Sequence, residues 1–464
     1  MNSVPVIAIF DIGKTNKKLF LFDEQYNIIY EKSESLPETK DEDGDACEDR
    51  PLLTEWIKKS LLEASLMKDV SVKAINFSAY GASFVHIDRE GIPVSPLYNY
   101  LKPYPENLKQ QFYETYGNEA EFSMDTASPS LGNLNSGLQL YLLKHAKPEI
   151  FKKTRYSLHL PQYLSFLVTN QCYSDITSIG CHTALWNFSK NSYHDWLHRE
   201  DIGNKLASIY PSDQVIYTTL NNGPLMSGVG LHDSSAALIP YLSNFTEPFV
   251  LISTGTWCIS LNPFNHSPLT AEELKHDCLC YLEYRGKPVK ASRLFAGYEH
   301  EQQVKRLAAH FHVSIDYYKE VNFDAATIGK LSTTPVRTNN NSGISAELTA
   351  SGFDNKDLSS FETYEVAYHQ LMLDILNQQV HSTHLVFNHS TTKKIFVDGG
   401  FSNNAIYTNL LAMAFPDTEI YAASVSQASA LGAALAVHDY WNKKQVPSKL
   451  ILLKKYSPVL HSHW

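Results

Sequence analysis

The chain has 464 residues, 43% of them hydrophobic and 19% charged, a balance typical of a globular protein with a large buried core. Its formal net charge is −10, and its basic residues form no block longer than pairs such as Lys17-Lys18, so non-specific nucleic-acid binding is disfavoured. No apolar run reaches the length of about 18 residues that would predict a membrane span.

The first half of the chain reads as mixed α/β structure. "VIAIFDIG", "KTNK" and "KLFLFD" predict a strand, a tight polar turn and a second strand between residues 5 and 30. The acidic stretch 38–50 is most simply a solvated loop, and residues 52–66 have helical spacing of apolar side chains. Residues 72–88 predict a strand, a turn at Gly81 and another strand.

The second half begins in the same way as the first. A helix is predicted to start near Asp233, and 248–264 then predicts a strand, the polar turn "STGT" and a strand, like the opening of the chain. "KKIFVDGGFSNNAIYTNLLAMAF" predicts a buried strand, a Gly-Gly turn and an amphipathic helix. We therefore expect a duplicated α/β architecture with a cleft, divided into domains 1–245 and 246–464.

The N-terminal stretch lacks the basic region of a signal peptide, and its short apolar run ends at Asp11. The six cysteines are scattered and contain no C-x-x-C pair, which favours reduced thiols. A cytoplasmic location, with no membrane partner, is the prediction that fits both observations.

The first turn loosely matches a nucleotide-binding P-loop, because Ala8 is followed at the right spacing by Gly13, Lys14 and Thr15. A P-loop is a glycine-rich loop that leads into a helix. Here the residues after Ala8 continue a strand, and another strand follows the turn. The P-loop interpretation therefore fails, and a β-hairpin that binds phosphate at its turn is the alternative.

In such a hairpin Gly13, Lys14, Thr15 and Asn16 would supply amides, a hydroxyl and a cation, and Asp11 would orient Mg²⁺ through water. A second hairpin turn, 253–256, could bind phosphate from the other domain. Each turn alone is a weak signal. Together with 398–400 after a buried strand they form a specific constellation.

The sequence resembles the FGGY family of carbohydrate kinases, within the actin-like ATPase superfamily, over nearly its whole length. "DIGKTNKK" resembles the first phosphate hairpin of the family, and "YSDITSIGCHTALWNFSKNSYHDWL" a segment in the middle of its first lobe. "GVGLHDSSAAL" resembles its catalytic Asp loop and "ISTGTWCISL" its second phosphate hairpin. "VDGGFSNNAIYTNLLA", with "ASALGAALA", resembles its adenosine end. The resemblance implies an α/β, two-lobed actin-like (ribonuclease H-like) fold with a duplicated domain and an interlobe cleft, and a kinase that uses ATP and Mg²⁺.

Two details are similar to kinases of 6-deoxy-ketohexoses such as L-rhamnulose or L-fuculose. "ISTGTW" and "YGASFVHID" are similar to rhamnulokinase segments, and the pair His232-Asp233 is similar to rhamnulokinases and fuculokinases. Departures from the family put the sugar in doubt: Ser83 and 98–105 stand where family members read sugar hydroxyls, and Gln162 and Gln427 replace acids. A xylulose or ribulose kinase is the alternative.

Asp233 is the predicted catalytic base, because a sugar hydroxyl is a poor nucleophile until a carboxylate accepts its proton. A helix cap is the competing interpretation of this Asp. The resemblance also implies sugar contacts from Gly81, Ser83, His232 and Ser234, although His232 is equally well explained as a structural residue.

The predicted nucleotide site draws on both domains. Glycine is expected near the adenosine because a side chain would block the nucleotide. The resemblance implies contacts with ATP from Gly13, Lys14, Thr15, Asn16, Lys17, Thr254, Gly255, Thr256, Gly297, Gln302, Gly399, Gly400 and Asn403, with Asp11 as the water-mediated Mg²⁺ residue.

Other functional classes are less consistent with these residues. An actin-like ATP-dependent sensor or reactivating chaperone would not need a carboxylate beside a sugar loop. A sugar-binding regulator without catalysis would be expected to lack Asp233 or Asp11. The partners predicted are a small-molecule sugar and ATP, and the question of a homodimer is left open.

Overall fold

The computed structural model of the protein describes residues 3–221, 223–331, 351–388, 392–425 and 427–457. Contacts group the described residues into two units, the first from 1–244, 280–288 and 426–450 and the second from 245–279, 289–425 and 451–464. The predicted first domain, 1–245, lacks the two later segments, 280–288 and 426–450, that group with the first unit.

The described part of the chain alternates strands and helices. In chain order the strands are β1 Val4–Ile12, β2 Lys17–Asp23, β3 Ile28–Glu34, β4 Glu38–Lys40, β5 Ala46–Glu48, β6 Val70–Ala79, β7 Phe84–Ile87, β8 Tyr156–His159, β9 Trp186–Asn187, β10 Ser192–Tyr193, β11 Ile216–Leu220, β12 Gly223–Ser227, β13 Leu231–His232, β14 Phe249–Thr254, β15 Cys258–Asn262, β16 Cys278–Leu282, β17 Pro288–Leu294, β18 Lys394–Gly399, β19 Glu419–Ser424 and β20 Leu452–Tyr456. The α-helices are α1 Arg50–Ser65, α2 Glu106–Tyr116, α3 Glu119–Thr126, α4 Ser136–Ala146, α5 Pro148–Lys153, α6 Leu160–Thr169, α7 Ile176–Ile179, α8 Trp196–Arg199, α9 Asp233–Asn244, α10 Ala271–Lys275, α11 Ala296–Phe311, α12 Ala325–Leu331, α13 Tyr364–Val386, α14 Ala405–Ala414, α15 Ala428–Ala436 and α16 His438–Trp441.

The sheet of the first unit has the order β11-β12-β6-β1-β2-β3, and β13 also pairs with β6. β1 is antiparallel to β2 and parallel to β6, which places Asp11 opposite Lys18 on one side and Ser78 on the other. Apolar side chains of α1, including Leu53 and Ile57, join the core formed by this sheet. Near the carboxyl end of β1, a central strand of this sheet, Asp11 therefore lies between Lys18 and Ser78.

Two helices of the first unit pack closely because of a small residue. A Cβ on Gly432 in α15 would lie 1.8 Å from the carbonyl oxygen of Ala236 in α9. Asn76 in β6 donates from Nδ2 to the carbonyl of Ala433, 2.8 Å away. The segment 428–436, assigned from the sequence to the adenosine end, thus belongs to the first unit.

The sheet of the second unit has the order β16-β17-β15-β14-β18-β19-β20. β14 and β15 form an antiparallel hairpin, and β14 is parallel to β18, as β1 is to β6. The core lies against α13, where Ala367, Leu371 and Ile375 are buried. The predicted duplication and the α/β class are confirmed by this repeated strand arrangement.

The acidic stretch was predicted as a solvated loop, and this prediction is wrong. β4 and β5 pair as a short antiparallel hairpin. Lys102 lies within salt-bridge distance of Asp41, Asp43 and Asp45, at 2.5, 2.7 and 3.1 Å. Lys102 neutralises these aspartates from a distant position in the chain, and the local run of acidic residues gives no indication of it.

Within the described residues no helix is both long enough and apolar enough to cross a membrane.

Candidate functional site

The first predicted phosphate hairpin is present. The N–H of Gly13 donates to the carbonyl of Asn16, 2.9 Å away, which closes the turn between β1 and β2. A strand follows Thr15, so the rejection of a P-loop is confirmed. The side chains of Thr15 and Asn16 are exposed, whereas the Nζ of Lys14 lies 2.7 Å from Oε1 of Glu38.

Lys17 was predicted to contact ATP, and the structure corrects this. Its side chain is 1% exposed, and its Nζ donates to the carbonyls of Gly13 and Lys14 and to Oε2 of Glu48, each 3.0 Å away. An ammonium group has three protons, and all three have acceptors. Lys17 therefore supports the turn from behind and is not available for direct contact with phosphate.

Asp11 lies next to the last residue of β1, in a setting that disfavours its charge. Burial raises its pKa from 3.8 to about 6, a shift increased by the nearby Asp233 and reduced by Ser429 and Lys18. Ser429 in α15 donates to Oδ2 of Asp11, 2.9 Å away. Lys18 is a cation that the sequence analysis missed; the alternation along β2 could have indicated it, because it lies opposite Asp11.

Asp233 is the first residue of α9, and its side chain is 35% exposed. Its Oδ1 accepts from the backbone N–H and the hydroxyl of Ser234, at 2.6 and 3.2 Å. The Nε2 of His232 lies 3.3 Å from the same oxygen. Within the described residues Oδ2 accepts no hydrogen bond, so one carboxylate oxygen is open to a substrate.

Gly81 lies against the His232 ring. A Cβ at Gly81 would lie 2.9 Å from Cδ2 of His232, 3.0 Å from its Nε2 and 3.6 Å from Sγ of Cys181. Burial lowers the pKa of His232, which keeps the ring neutral. Gly81, His232, Asp233 and Ser234 are thus brought together, and their contacts with a sugar stay a prediction.

Ser83 is set back from this group. Its side chain is 1% exposed, and its hydroxyl has no hydrogen-bond partner within the described residues. Ala82 before it has a left-handed backbone, with φ of 59°. Only its buried hydroxyl, which has no hydrogen-bond partner within the described residues and lies at the base of the turn, therefore supports a role for Ser83 in sugar recognition.

The loop before Asp233 is held by packing. A Cβ at Gly228 would lie 2.2 Å from Oδ1 of Asn76, and a Cβ at Gly230 would lie 2.4 Å from the carbonyl of Pro161. Gln162 donates from Nε2 to the carbonyl of Gly230, 2.8 Å away. Gly228 and Gly230 are the glycines of "GVGL", within the segment that resembles the catalytic Asp loop. Glycine is required at both positions because neighbouring protein atoms occupy the space that a side chain would need.

The mid-lobe motif also supports this loop. Thr177 accepts the backbone N–H of His232 at 2.9 Å, and Asp175 accepts from the N–H groups of Thr177 and Ser178 at the start of α7. Burial raises the pKa of Asp175 to about 6. The motif "YSDITSIG" therefore positions His232 through a chain of hydrogen bonds.

Tyr98, Tyr100 and Lys102 lie in the segment 98–105, where the sequence differs from the pattern of the family that it resembles. Lys102 is bound by the β4–β5 hairpin, and the Tyr98 hydroxyl donates to Glu42 at 2.5 Å. Burial raises the pKa of Tyr100, and the charge of Asp233 raises it further. Its ring centroid lies 6.1 Å from that of Tyr80. Tyr100 is therefore the residue of this segment that is placed near the carboxylate.

The turn of the second hairpin is closed by the N–H of Gly255, which donates to the carbonyl of Trp257 at 2.8 Å. The Thr254 hydroxyl donates to the carbonyl of Asp398 and accepts the N–H of Phe401, at 2.5 and 3.0 Å. This hydroxyl joins the hairpin to the Gly-Gly turn. The Thr256 side chain is exposed and carries the hydroxyl that remains available.

Two predicted glycines are required by backbone packing. A Cβ at Gly297 would lie 1.7 Å from the carbonyl of Gly255, and one at Gly399 would lie 1.9 Å from that of Thr254. Gly399 also has φ of +87°, which favours glycine. A Cβ at Gly400 would lie 4.0 Å from the Thr254 carbonyl, so of the three glycines 297, 399 and 400 it is Gly400 that leaves space for a ligand.

A cavity of about 620 Å³ lies in the second unit, beside these turns. The predicted residues Thr254, Gly255, Gly297, Gly400 and Asn403 line it, whereas Thr256, Gln302 and Gly399 do not. The sequence analysis missed the other lining residues, which are His300, Tyr318, Lys319, Val321, Asn322, Phe401, Asn404 and Ala405.

A hydrogen-bonded group supports one side of this cavity. The Tyr368 hydroxyl lies 2.9 Å from Nε2 of His300 and accepts from Nδ2 of Asn404 at 2.7 Å. Asn404 also caps α14 through the N–H groups of Ile406 and Tyr407. Burial lowers the pKa of His300 to about 4, so this ring is neutral. An Asn directly before a predicted helix was the signal in the sequence.

Among the described residues no cluster of three or more His, Cys, Asp or Glu side chains could hold a metal ion. Mg²⁺ is commonly bound by one or two carboxylates, several waters and the phosphates of the substrate. The Asp11 and Asp233 carboxylates, close enough to raise the pKa of Asp11, fit a site of this kind.

Comparisons with known proteins match both halves of the chain. A family model described as the FGGY family of carbohydrate kinases, N-terminal domain, matches residues 6–239. A second, described as carbohydrate kinase FGGY, C-terminal domain, matches residues 246–446.

Two curated relatives have different names. The chain is 24% identical to a xylulose kinase of Staphylococcus epidermidis over 214 residues, covering 44% of this chain and 40% of the relative. It is 23% identical to a rhamnulokinase of Oceanobacillus iheyensis over 206 residues, covering 42% of each. The chain thus matches about two fifths of the length of these relatives.

Solved structures match over nearly the whole chain. A carbohydrate kinase from Novosphingobium aromaticivorans has a TM-score of 0.77 at 20% identity, covering 98% of this chain and 95% of that one. A ligand-bound xylulose kinase from Lactobacillus acidophilus has a TM-score of 0.76 at 16% identity, covering 98% and 94%. At these identities the matches establish the fold.

Proposed function

Because the chain belongs to the FGGY family of carbohydrate kinases, we propose that it transfers the terminal phosphoryl group of ATP to a hydroxyl of a ketose. The family predicted from the sequence is confirmed by the two family models. The observation that carries the proposed reaction is Asp233, a half-exposed carboxylate with one open oxygen beside Gly81 and His232.

Asp233 is the general base of the proposed reaction. Ser234 holds Oδ1 through two hydrogen bonds, which leaves Oδ2 to accept the proton of the sugar hydroxyl. The neutral ring of His232 lies beside Oδ1 without adding a positive charge that would weaken the base. Asp233 begins a helix, but within the described residues its side chain accepts hydrogen bonds only from Ser234, the next residue, so the base interpretation is favoured over a helix cap.

The first hairpin and Asp11 neutralise and orient the phosphates. Phosphoryl transfer depends mainly on positioning and on stabilisation of charge. The N–H groups of Lys14 and Thr15 and the Thr15 hydroxyl are available to phosphate, and Lys18 adds a positive charge near Asp11. Asp11, with Asp233, would hold Mg²⁺ through water, and the ion would neutralise phosphate oxygens when bound.

The cavity of the second unit is the proposed nucleotide site. Its 620 Å³ is in the range of cofactor pockets, and Gly255, Gly297, Gly400 and Asn403 line it. Asn322 and Asn404 provide amide groups there, and Tyr318 and Phe401 provide apolar surface for a base.

The proposed substrate is a 6-deoxy-ketohexose. The similarity of the His232-Asp233 pair to rhamnulokinases and fuculokinases supports this choice, and one curated relative is a rhamnulokinase. The ring of Tyr100, tilted by 59° relative to that of Tyr80, offers an apolar face with one hydroxyl, which suits a sugar that carries a methyl group. The xylulose kinase relative makes a pentulose the second candidate.

The test is an ADP-release assay with ATP, Mg²⁺ and L-rhamnulose, L-fuculose, L- and D-ribulose, D-xylulose, D-fructose or glycerol. We expect one deoxy-ketohexose to be turned over well above the others. Preference for a pentulose would support the kinase activity but reject a 6-deoxy-ketohexose as the substrate. Steady ATP hydrolysis that no sugar stimulates would favour an actin-like sensor. The cytoplasmic location stays a prediction.

A further inference from the structure

A buried ion pair lies directly behind the turn of the first hairpin. The side chains of Lys17 and Glu48 are 1% and 3% exposed, and Nζ lies 3.0 Å from Oε2. The same ammonium group donates to the carbonyls of Gly13 and Lys14. Burying two charges is costly unless both are paired and fully hydrogen-bonded, which is the case for this lysine.

The two carbonyl contacts fix the direction of two N–H groups. In a trans peptide the C=O and the following N–H point in opposite directions. Because the carbonyls of Gly13 and Lys14 point toward Nζ, the N–H groups of Lys14 and Thr15 point away from it. Neither N–H has a hydrogen-bond acceptor within the described residues, whereas the N–H of Gly13 is used to close the turn.

We propose that the Lys17–Glu48 pair is a positioning device, which holds the turn so that the N–H groups of Lys14 and Thr15 face the phosphates of ATP. The inference rests on the proposed function. Lys17 acts without touching the nucleotide, and Glu48 is required to pair with its ammonium group and hold it in place.

Glu48 also connects the turn to the sugar side of the first unit. Its Oε2 accepts the Tyr80 hydroxyl at 3.2 Å, one residue before Gly81. Its backbone forms an isolated antiparallel bridge with Leu97, which precedes the Tyr98–Lys102 segment. One buried carboxylate thus contacts the phosphate hairpin and the base of the sugar turn.

The test variant is Lys17→Met with Glu48→Gln. It removes both charges together, because a single replacement would leave an unpaired buried charge, and it keeps an acceptor for the Tyr80 hydroxyl. The measurements are the dissociation constants of ATP with Mg²⁺ and of adenosine, by titration calorimetry, with circular dichroism to verify folding. We expect the preference for ATP over adenosine to fall about tenfold or more, while adenosine binds as in the wild type.

The matched control is Lys290→Met with Glu273→Gln. This pair has side chains 4% and 19% exposed and lies in the second unit. It should leave the preference for ATP unchanged. A preference that survives in the Lys17/Glu48 variant would overturn the positioning role. A wild-type protein that binds ATP no better than adenosine would instead overturn the proposed phosphate site, and the inference with it.

A second measurement needs no change to the buried pair. Amide signals of the wild-type protein labelled with ¹⁵N-lysine would be followed during titration with ATP and Mg²⁺, and Lys14→Arg would identify the Lys14 signal. We expect the Lys14 N–H to shift strongly downfield, as an N–H that gains a phosphate acceptor does. An unchanged Lys14 signal at saturating ATP would contradict the proposed orientation, even if the double variant failed to fold.

Discussion

The Nε2 atom of His232 lies 3.3 Å from Oδ1 of Asp233, and the same ring occupies the space that a side chain at Gly81 would need. A glycine in a turn between strands and the histidine that ends β13 are therefore in direct contact. Any change at Gly81 should reach Asp233, the proposed catalytic base, through this ring.

We expect Gly81→Ala to reduce turnover about tenfold or more, because its Cβ would displace the His232 ring that lies beside Asp233. Steady-state kinetics with the best sugar would measure kcat and KM separately. Gly203→Ala tests the effect of adding a methyl group elsewhere in the first unit, at a glycine without a positive φ, where the nearest atom is the Leu197 carbonyl oxygen at 4.0 Å. Unchanged kinetics in Gly81→Ala would show that the ring can move without consequence.

Asp233→Asn should lower turnover by several orders of magnitude, because the amide cannot accept the proton of the sugar hydroxyl. ATP binding should remain largely intact, as titration calorimetry beside a turnover assay would show. Asp195→Asn, at an exposed carboxylate paired with Lys190, is the matched control. Near-normal turnover in Asp233→Asn would reject Asp233 as the base.

The raised pKa of Asp11 predicts a dependence of Mg²⁺-ATP binding on pH. With a pKa of about 6, this carboxyl group is protonated below pH 6 and must lose its proton to interact with the hydrated ion. Affinity should therefore fall more steeply below pH 6 in the wild type than in Asp11→Asn. Protonation of ATP is common to both proteins, so equal slopes would exclude Asp11 as the cause.

The same shift predicts an effect on stability with a defined sign. Between its ordinary value of 3.8 and about 6, folded Asp11 holds a proton that the unfolded chain has lost. Its contribution to stability therefore falls as the pH rises through this window. Without ligands, Asp11→Asn should raise the Tm at pH 8 relative to the wild type and have little effect near pH 4. A lower Tm at pH 8 would contradict this account.

Gly399 and Gly400 should respond differently to the same substitution. Gly399→Ala would bring Cβ to 1.9 Å from the Thr254 carbonyl at a positive φ, and should lower the Tm by several degrees. Gly400→Ala has space, and should leave the Tm nearly unchanged while weakening ATP binding at the cavity. Thermal unfolding and calorimetry would separate the two effects. A stable Gly399→Ala protein would refute the packing argument.

The sequence by itself determined the elements that local pattern controls. Apolar strands ending in polar turns predicted both hairpins, because a strand followed by a strand excludes a P-loop whatever the letters between them. The motifs around Gly81, Asp233 and Gly399 predicted the family, and the structure brings Gly81, His232, Asp233 and Ser234 together.

Only the tertiary structure decided which polar residues face a ligand. Lys14 lies in the first hairpin turn and Lys17 begins β2 three residues later, but the strand alternation of β2 and the distant Glu48 bury only Lys17 of the two. The acidic stretch became an ordered hairpin through Lys102, and Ser429 came from a late helix to reach Asp11. Each of these outcomes depends on a partner far away in the chain. The periodicity and spacing of a sequence depend only on residues that are close along the chain. They therefore cannot indicate an ion pair between residues that are distant in sequence.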